Sequence, residues 1–418
     1  MKKKLHPVQE LFNQKGAVLV LVAVLLIVFV GMAAMALDVG HLYLVRNELQ
    51  NAADSGALAG ARELYLDSNA STVNAGANQI AFDTAILNNS EKVAVEVNDP
   101  LTNSGDVQRG HWSFATRTFT PNSSTDAYNL TGKTEAELDA DTNFVNAVQV
   151  SARRENAPAA SFFARIFGYD DFALSARAVA YRGFAGNLNP NDVEQPIAIC
   201  KESIDDGAGG YACNQGRMLN SGGNANTANT GGWTNFSQPC QTADANEMRD
   251  LVCGAGNPDT LQLGQGIGAT GGVQDSVLAK FYDCWEAASN KNTFWNLTLP
   301  VVECPGNNVG NCAKLVGAVN LNIVWMVHKN DPHYNDVPTT MEDWNCTEGS
   351  EGFDCWKEFV DHFDLQQVTG PPRSDADYEE MYQKKNIFFL PACEALRPTG
   401  VTGGSNFGVL AQIPVLVD

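Results

Sequence analysis

The first 199 residues contain no cysteine, and this absence divides the chain into two parts. An even number of cysteines confined to one half of an exported chain is typical of a disulfide framework formed in an oxidising compartment. A zinc site needs close pairs such as C-x2-C, and the sequence has none. The candidate disulfide cysteines are Cys200, Cys213, Cys240, Cys253, Cys284, Cys304, Cys312, Cys346, Cys355 and Cys393.

Sequence alone does not select among the many pairings of ten cysteines. Two pairs stand out because they flank short loops that contain Gly or Asn. These are Cys304 with Cys312 and Cys346 with Cys355. Each pair could close a local hairpin.

Basic residues are also scarce. The chain has 27 Lys and Arg against 48 Asp and Glu, which gives a formal net charge of −21. A chain this acidic repels phosphate backbones and anionic lipid headgroups, so we expect no nucleic-acid partner. The basic residues at the N-terminus are Lys2, Lys3, Lys4 and Lys15.

Signatures of common catalytic and cofactor sites are absent or incomplete. The sequence has no Gly-x-Ser-x-Gly elbow and no His-Glu-x-x-His helix. Residues 266–271 match G-x-G-x-x-G, but turn residues precede them where a dinucleotide site needs a buried strand. We therefore expect no catalytic residues and no cofactor.

The densest group of metal-ligand residue types lies in one loop after an expected strand. The same residue types are common in such loops as turn formers, so we expect a turn and keep a metal site as the alternative. The group consists of His328, Asp331, His333 and Asp336.

The longest apolar run, Ala17–Leu37, contains 21 residues and no charge. As a helix it covers about 30 Å, the thickness of a bilayer's hydrocarbon core, and it predicts a transmembrane helix. The lysines before it and Asp38 after it predict a cytoplasmic N-terminus and an exported bulk. The alternative is a cleaved signal peptide, because Ala34–Ala36 has a small-x-small form. The run is longer than the usual h-region of about 7–15 residues.

The helical pattern continues beyond the run to about Leu66. Apolar residues at alternating spacings of three and four form a seam with progressively smaller side chains, and such small residues allow close helix packing. Either the sheet of its own domain covers this seam, or a neighbouring helix covers it in an oligomer. The seam consists of Leu42, Val45, Leu49, Ala52, Gly56, Ala59 and Gly60.

Alternation of apolar and polar residues predicts strands at 92–97, 107–114, 147–153 and 172–181, with a short amphipathic helix at 159–167. Further along, it predicts a helix at 272–288 and strands at 295–302, 316–327, 386–390 and 409–417. The expected fold class is α+β. A single N-terminal transmembrane helix continues into a long amphipathic helix packed on a small sheet, and a disulfide-rich, β-rich domain follows.

The expected division of the chain follows from these patterns. It comprises a cytoplasmic basic segment at 1–16, a transmembrane helix at 17–37, an α+β domain at 38–182, a linker at 183–195 and a cysteine-rich exported domain at 196–418.

The block Lys15–Leu64 combines the apolar anchor with Leu37–Gly40 (LDVG), an aromatic at Tyr43, and Leu49–Asp54 (LQNAAD) before an Ala-rich helix. This block resembles the N-terminal segment of the TadE/TadG-like pilus-assembly family of tight-adherence (Flp pilus) systems. Segments further along resemble the family too, so the resemblance covers about 15–182. They are Gly110–Trp112, Phe119–Pro121, Asn146–Val150 and Phe162–Gly168.

Two features differ from relatives of this family. Many long TadG-like proteins carry a von Willebrand A domain with a D-x-S-x-S metal site, and the nearest string here, Asp67–Ser71, has Asn69 in place of the first Ser. Prepilins have Glu at the fifth residue after a processing Gly, whereas the fifth residue after Gly16 is Leu21. We therefore expect a retained anchor and not a polymerising pilin.

The resemblance implies a non-enzymatic inner-membrane protein that helps to build, anchor or present an adhesive pilus. Its implied partners are other Tad/Flp pilus-assembly proteins, and it contacts the inner membrane through 17–37. The alternative is a membrane-tethered periplasmic hydrolase or ligand-binding protein that uses 196–418.

Overall fold

The structure is a computed structural model that describes residues 15–418, except 67–68, 99, 131, 206–211, 221–230, 242–243, 271–274, 306–308, 330, 332, 366–372, 384, 394–395, 397 and 408–411. Some sequence features named above lie outside the described residues. They are the basic residues Lys2–Lys4, the first two residues of Asp67–Ser71, and Gly271 of the glycine pattern.

The helices of the described chain are α1 (Lys15–Arg62), α2 (Ala77–Ile86), α3 (Glu135–Ala140), α4 (Lys201–Ile204), α5 (Ala245–Leu251), α6 (Asp275–Ser289), α7 (Phe353–His362) and α8 (Asp375–Met381), with a 3₁₀ turn at Ala164–Phe167. The strands are β1 (Tyr65–Leu66), β2 (Asn69–Val73), β3 (Asn89–Ser90), β4 (Val93–Ala94), β5 (Val107–Ser113), β6 (Thr118–Pro121), β7 (Ala147–Ala160), β8 (Asp171–Phe184), β9 (Asn187–Leu188), β10 (Ile197–Cys200), β11 (Arg217–Asn220), β12 (Gly231–Thr234), β13 (Leu261–Gln262), β14 (Gly266–Thr270), β15 (Trp295–Val302), β16 (Cys312–Val327), β17 (Thr340–Met341), β18 (Trp344–Asn345), β19 (Asn386–Pro391) and β20 (Gln412–Leu416).

The first sheet has five antiparallel strands in the order β20-β8-β7-β5-β6. The second half of α1 and the short α2 pack on it. Small residues of both helices, such as Ala52, Ala57 and Ala81, are fully buried there with Val148 and Val150 of β7. This arrangement confirms the predicted α+β fold, in which a long helix packs on a small sheet.

The last strand of the chain also belongs to this first sheet. β20 pairs with β8 in a register that runs from Gln412↔Phe184 to Leu416↔Ala180. The strand predicted at 409–417 is confirmed over Gln412–Leu416, but its pairing with β8 differs from the expectation that it belongs with the strands of the cysteine-rich region. Alternating polarity identifies a strand but not the edge with which it pairs.

The second sheet contains seven strands in the order β11-β19-β16-β14-β12-β10-β15, and β15 also pairs with β16. The extra pairing closes a ring of β16, β14, β12, β10 and β15. The 16-residue strand β16 makes this closure possible, because its first part pairs with β14, its middle with β15 and its end with β19. Within the ring, β10 and β15 are parallel.

Aromatic side chains fill the core between the second sheet and its helices. Trp285 of α6 and Trp325 of β16 are fully or almost fully buried, with ring centroids 5.0 Å apart. The rings of Trp356 of α7 and Phe388 of β19 also contact each other, with centroids 5.6 Å apart. Buried aromatic pairs of this kind contribute beyond the area that they bury, so this layer holds α6 and α7 on the sheet.

Disulfides pair all ten cysteines. The pairs are Cys200–Cys304, Cys213–Cys393, Cys240–Cys312, Cys253–Cys284 and Cys346–Cys355. The predicted local pair Cys346–Cys355 is confirmed, whereas a bond between Cys304 and Cys312 is wrong. Cys200 lies next to Cys304 because β10 and β15 are neighbouring strands, and this neighbourhood comes from the fold.

Most predicted strands are confirmed, with boundaries that differ by a few residues. The segment 92–97 forms only the short β4, and the helix predicted at 159–167 is wrong in its first part, because β7 extends to Ala160. Within the segment expected to be a linker, β8 continues to Phe184 and β9 pairs with β13. The division into domains stays a prediction.

We predict that peptide mapping of the full chain under non-reducing conditions recovers five cross-linked peptide pairs, those of the five disulfides above. Mass spectrometry before and after reduction measures this directly. Recovery of a Cys304–Cys312 peptide, or of mainly free thiols from protein purified under oxidising conditions, would contradict the described strand neighbourhood.

Candidate functional site

The helix α1 joins the apolar run to the first domain without a break over Lys15–Arg62. At about 1.5 Å per residue its length is roughly 70 Å. Among the described residues it is the one helix long and apolar enough to cross a membrane, and the protein buries none of its most apolar stretch. Further along, Val45 and Leu49 are fully buried. The surroundings of the helix therefore change between Leu37 and Val45.

Asp38 lies at this change, and only 5% of its surface is exposed. Its carboxylate accepts hydrogen bonds from three consecutive backbone N–H groups, those of Phe162 (2.7 Å), Phe163 (3.0 Å) and Ala164 (2.6 Å). These groups begin the 3₁₀ turn, where N–H groups lack partners within the turn itself. Burial raises the pKa of the Asp38 carboxyl, but these bonds outweigh burial and leave the pKa below its ordinary value.

His41 extends this contact on the next turn of α1. Its ring centroid lies 4.7 Å from that of Phe162, and its Nε2 contacts the carboxylate of Glu91. One oxygen of Glu48 accepts hydrogen bonds from the hydroxyl of Ser90 (3.0 Å) and the N–H of Glu91 (2.9 Å). Side chains of α1 thus hold the turn after β7 on one side and the β3–β4 turn on the other.

The small-residue seam lies just beyond these polar contacts and is covered by the chain itself. A Cβ atom at Gly56 would lie 2.8 Å from the carbonyl oxygen of Ala81 and 2.9 Å from the Cβ of Ala85. A Cβ at Gly60 would lie 2.8 Å from the Cβ of Ala81 and 2.9 Å from Val148. Both glycines and three other seam members, Val45, Leu49 and Ala52, are buried, and Leu42 and Ala59 are half-buried.

The seam is therefore occupied by α2 and β7, and an oligomer through it would have to displace them. Small residues are required at Gly56 and Gly60 because the backbones of α1 and α2 approach closely there. Of the two coverings that the sequence left open, the structure places its own domain on the seam.

Two other motif segments meet where β7 begins. The side chain of Asn146 accepts a hydrogen bond from the N–H of Trp112 (2.7 Å) and donates one to its carbonyl (3.1 Å). It thereby extends the pairing of β5 beyond the backbone of β7. A Cβ at Gly110 would clash with the carbonyl oxygen of Thr120, so this position requires glycine. These residues position the sheet beneath α1.

Comparison with family models gives two matches that together cover these contacts. A model described as Flp pilus-assembly TadE/G-like matches residues 16–63, and one described as Tad-like Flp pilus-assembly matches residues 59–180. Residues 16–180 belong to the TadE/G-like Flp pilus-assembly family. No curated protein and no solved structure matches the chain.

Two of the motifs that carry the resemblance meet at α1. LDVG supplies Asp38, and Phe162–Gly168 supplies the turn whose N–H groups Asp38 binds. Both segments stand out in the sequence, but no local pattern pairs them. Two sequence features could have suggested this contact. One is an acidic residue directly after the apolar run, and the other is an aromatic turn between two long strands.

The two aspartates among the residues considered for metal binding have other partners. Asp331 accepts hydrogen bonds from the N–H groups of His333 (3.0 Å) and Asn335 (2.5 Å), as a turn former does. Asp336 forms an ion pair with Lys291 at 2.8 Å. The one group with metal-ligand spacing in the described part of the chain is Cys200, Glu202 and Cys304, and its two sulfurs are bonded to each other.

The glycine pattern at 266–271 has a structural explanation for its described part. Residues Gly266–Thr270 form β14, inside the ring of strands. A Cβ at Gly266 would clash with the sulfurs of Cys240 and Cys312, and one at Gly268 would clash with Ser237. These glycines leave space for a disulfide and a neighbouring loop, and the described residues Gly266–Thr270 form a strand and not a phosphate-binding loop.

We predict that Gly56→Leu lowers the thermal unfolding midpoint of the full chain in detergent micelles. Overpacking of this kind typically costs about 1–3 kcal/mol. Gly40→Leu is the matched control on the same helix, because nothing lies within 4 Å of a Cβ there. Both variants gain the same helix propensity. Equal midpoints for the two variants would contradict the close packing of α1 on α2.

Proposed function

We propose that this chain is a non-enzymatic, inner-membrane-anchored component of a Flp/Tad pilus-assembly apparatus, with other assembly proteins of that system as partners. The observation that carries the proposal is the family match over 16–180, which includes both the anchor helix and the first domain. The unbroken α1 supports a structural role, because it transmits the position of the membrane directly to the sheet.

Charge and redox chemistry support the orientation that we propose. Lys2–Lys4 and Lys15 precede the apolar run, which favours a cytoplasmic N-terminus. Five disulfides require an oxidising compartment, which the periplasm provides and the cytoplasm does not. Both arguments support a periplasmic location for the bulk of the chain.

The alternative, a tethered hydrolase or ligand-binding protein, would use the second sheet. A polar cavity of about 530 Å³ lies there, lined among others by Glu194, Asn296, Asn320 and Asn322. Two of these polar groups already form hydrogen bonds with a strand of the sheet. The carboxylate of Glu194 accepts a hydrogen bond from the N–H of Thr298 at 2.7 Å, and the side-chain oxygen of Asn320 accepts one from the hydroxyl of Thr298 at 2.8 Å. This engagement favours a structural role for the cavity wall over catalysis.

We predict that deletion of the gene abolishes surface pili and that the full chain restores them. A chain in which a cleavable signal peptide replaces residues 1–37 should reach the periplasm, form its disulfides and fail to restore pili, because it lacks the anchor. Electron microscopy of surface pili and immunoblots of cell fractions measure both outcomes. Restored pili with the soluble chain would contradict the anchoring role.

Reporter fusions after Asp418 test the orientation in the same strains. Alkaline phosphatase should be active there, and a cytoplasm-specific fluorescent protein should not fluoresce. A cytoplasmic signal, or a mature N-terminus near Leu37, would contradict the proposed topology. A Glu194→Gln variant that assembles pili normally but loses turnover or binding of a ligand would favour the alternative.

A further inference from the structure

We propose that the turn at the tip of the β7–β8 hairpin, Ser161–Tyr169, contacts the lipid interface at the C-terminal end of the membrane span. This surface, named here the tip turn, gives the domain a second contact with the bilayer beside α1. The proposal rests on the anchoring in the proposed function, and the experiment below separates the failure of one from the failure of the other.

The position of the tip turn follows from its bonds to Asp38. Asp38 is the first residue after the 21-residue apolar run, so it marks the depth at which a helix of that length leaves the hydrocarbon core. The three hydrogen bonds from Phe162, Phe163 and Ala164 hold the tip turn at the same depth. The tip turn therefore lies level with the lipid headgroups.

The tip turn also exposes large apolar side chains. The exposed fractions are 55% for Phe162, 75% for Ile166, 79% for Phe167 and 61% for Tyr169. Neighbouring residues of α1, Leu37 and Tyr43 among them, are exposed to a similar degree. Contiguous exposed apolar groups usually mark a contact, and aromatic side chains are enriched at membrane interfaces.

Local charge fits a lipid surface better than the rest of the chain does. The chain carries a net charge of −21, yet Ser161–Tyr169 contains no acidic residue and one basic residue, Arg165. The guanidinium of Arg165 donates two hydrogen bonds to the carbonyl of Ser161, at 2.9 and 3.2 Å. The tip turn itself therefore adds no negative charge at a bilayer surface, and the nearest exposed carboxylates in sequence are those of Asp170 and Asp171, which follow it.

The tip turn is built to keep its shape. The N–H of Ser161 donates to the carbonyl of Asp170 at 2.9 Å, and the Ser161 hydroxyl donates to the carbonyl of Tyr169. Gly168 ends the 3₁₀ turn in a left-handed conformation with φ of 90°. Because the backbone is satisfied internally and by Asp38, the exposed side chains can enter the interface at little ordering cost.

Photo-crosslinking in nanodiscs of zwitterionic lipid tests the proposal on the purified full chain. The amino acid p-benzoylphenylalanine is introduced separately at Phe167, at Phe114 and at Val24. Phe114 is the matched control, because it is also an exposed Phe (54%) but contacts Tyr181, which pairs with Ala147 at the other end of β7. Strand β7 has 14 residues, so its two ends lie about 40 Å apart. Val24 reports on the span itself.

We predict lipid adducts at Val24 and Phe167 and none at Phe114, as measured by mass spectrometry. Two further chains carry Phe167→Glu, one with the probe at Ile166 and one with the probe at Val24. Lipid adducts should be lost at Ile166 and should persist at Val24, because a carboxylate resists burial in lipid. Adducts at Val24 without adducts at Phe167 would overturn the tip-turn contact alone. No adduct at Val24 would overturn the anchor and the tip-turn contact together.

The same probes in native membranes separate lipid from protein as the occupant. Lipid adducts at Phe167 in cells support the proposal. Adducts of Phe167 to protein alone would overturn it in favour of a partner of the assembly apparatus.

Discussion

A single helix must satisfy two surroundings, and the rest of the first domain depends on how it does so. Over Val18–Leu37 the side chains of α1 are apolar or small and almost all exposed, whereas from Val45 onward one face of the helix is buried and its side chains become small. A lipid environment favours large apolar side chains on every face of a helix. A sheet and a second helix, in contrast, can approach α1 closely only where its side chains are small. Asp38 lies between these two parts of the helix. Its carboxylate accepts hydrogen bonds from three backbone N–H groups in the turn between β7 and β8.

This arrangement makes the apolar helix and the first sheet one mechanical unit. Nothing in α1 between Lys15 and Arg62 interrupts the helix, and Gly40 within it stays helical. Contacts at Asp38, His41 and Glu48 then hold loops of the sheet against the helix within three turns of the end of the apolar run. For the function that we propose, such a junction would present the first sheet at a defined height above the bilayer, which suits a component that positions others.

Local patterns were enough to predict much of this architecture. The apolar run, the seam and the strand alternation of β5, β8, β15 and β16 each depend on residues close together in sequence. Contacts between distant residues were beyond reach, because no local pattern encodes them. The bond of Asp38 to residues 162–164, the pairing of β20 with β8 and the Cys200–Cys304 disulfide all join segments more than 100 residues apart. Short Ala-rich α2, with weak amphipathicity, was missed for a related reason: its burial comes from the close approach of α1.

Amide hydrogen exchange at Phe162–Ala164 tests the central claim, that Asp38 ties the anchor helix to the domain. The pKa of Asp38 lies below its ordinary 3.8, so its bonds are present at neutral pH and are lost only as the pH falls through that lowered pKa. At neutral pH, in nanodiscs, Asp38→Ala should expose the three amides while β7 and β8 stay protected. Asp54→Ala, which removes a carboxylate of the same helix that binds Gln50, should leave them protected. Equal protection in wild type and Asp38→Ala would contradict the account.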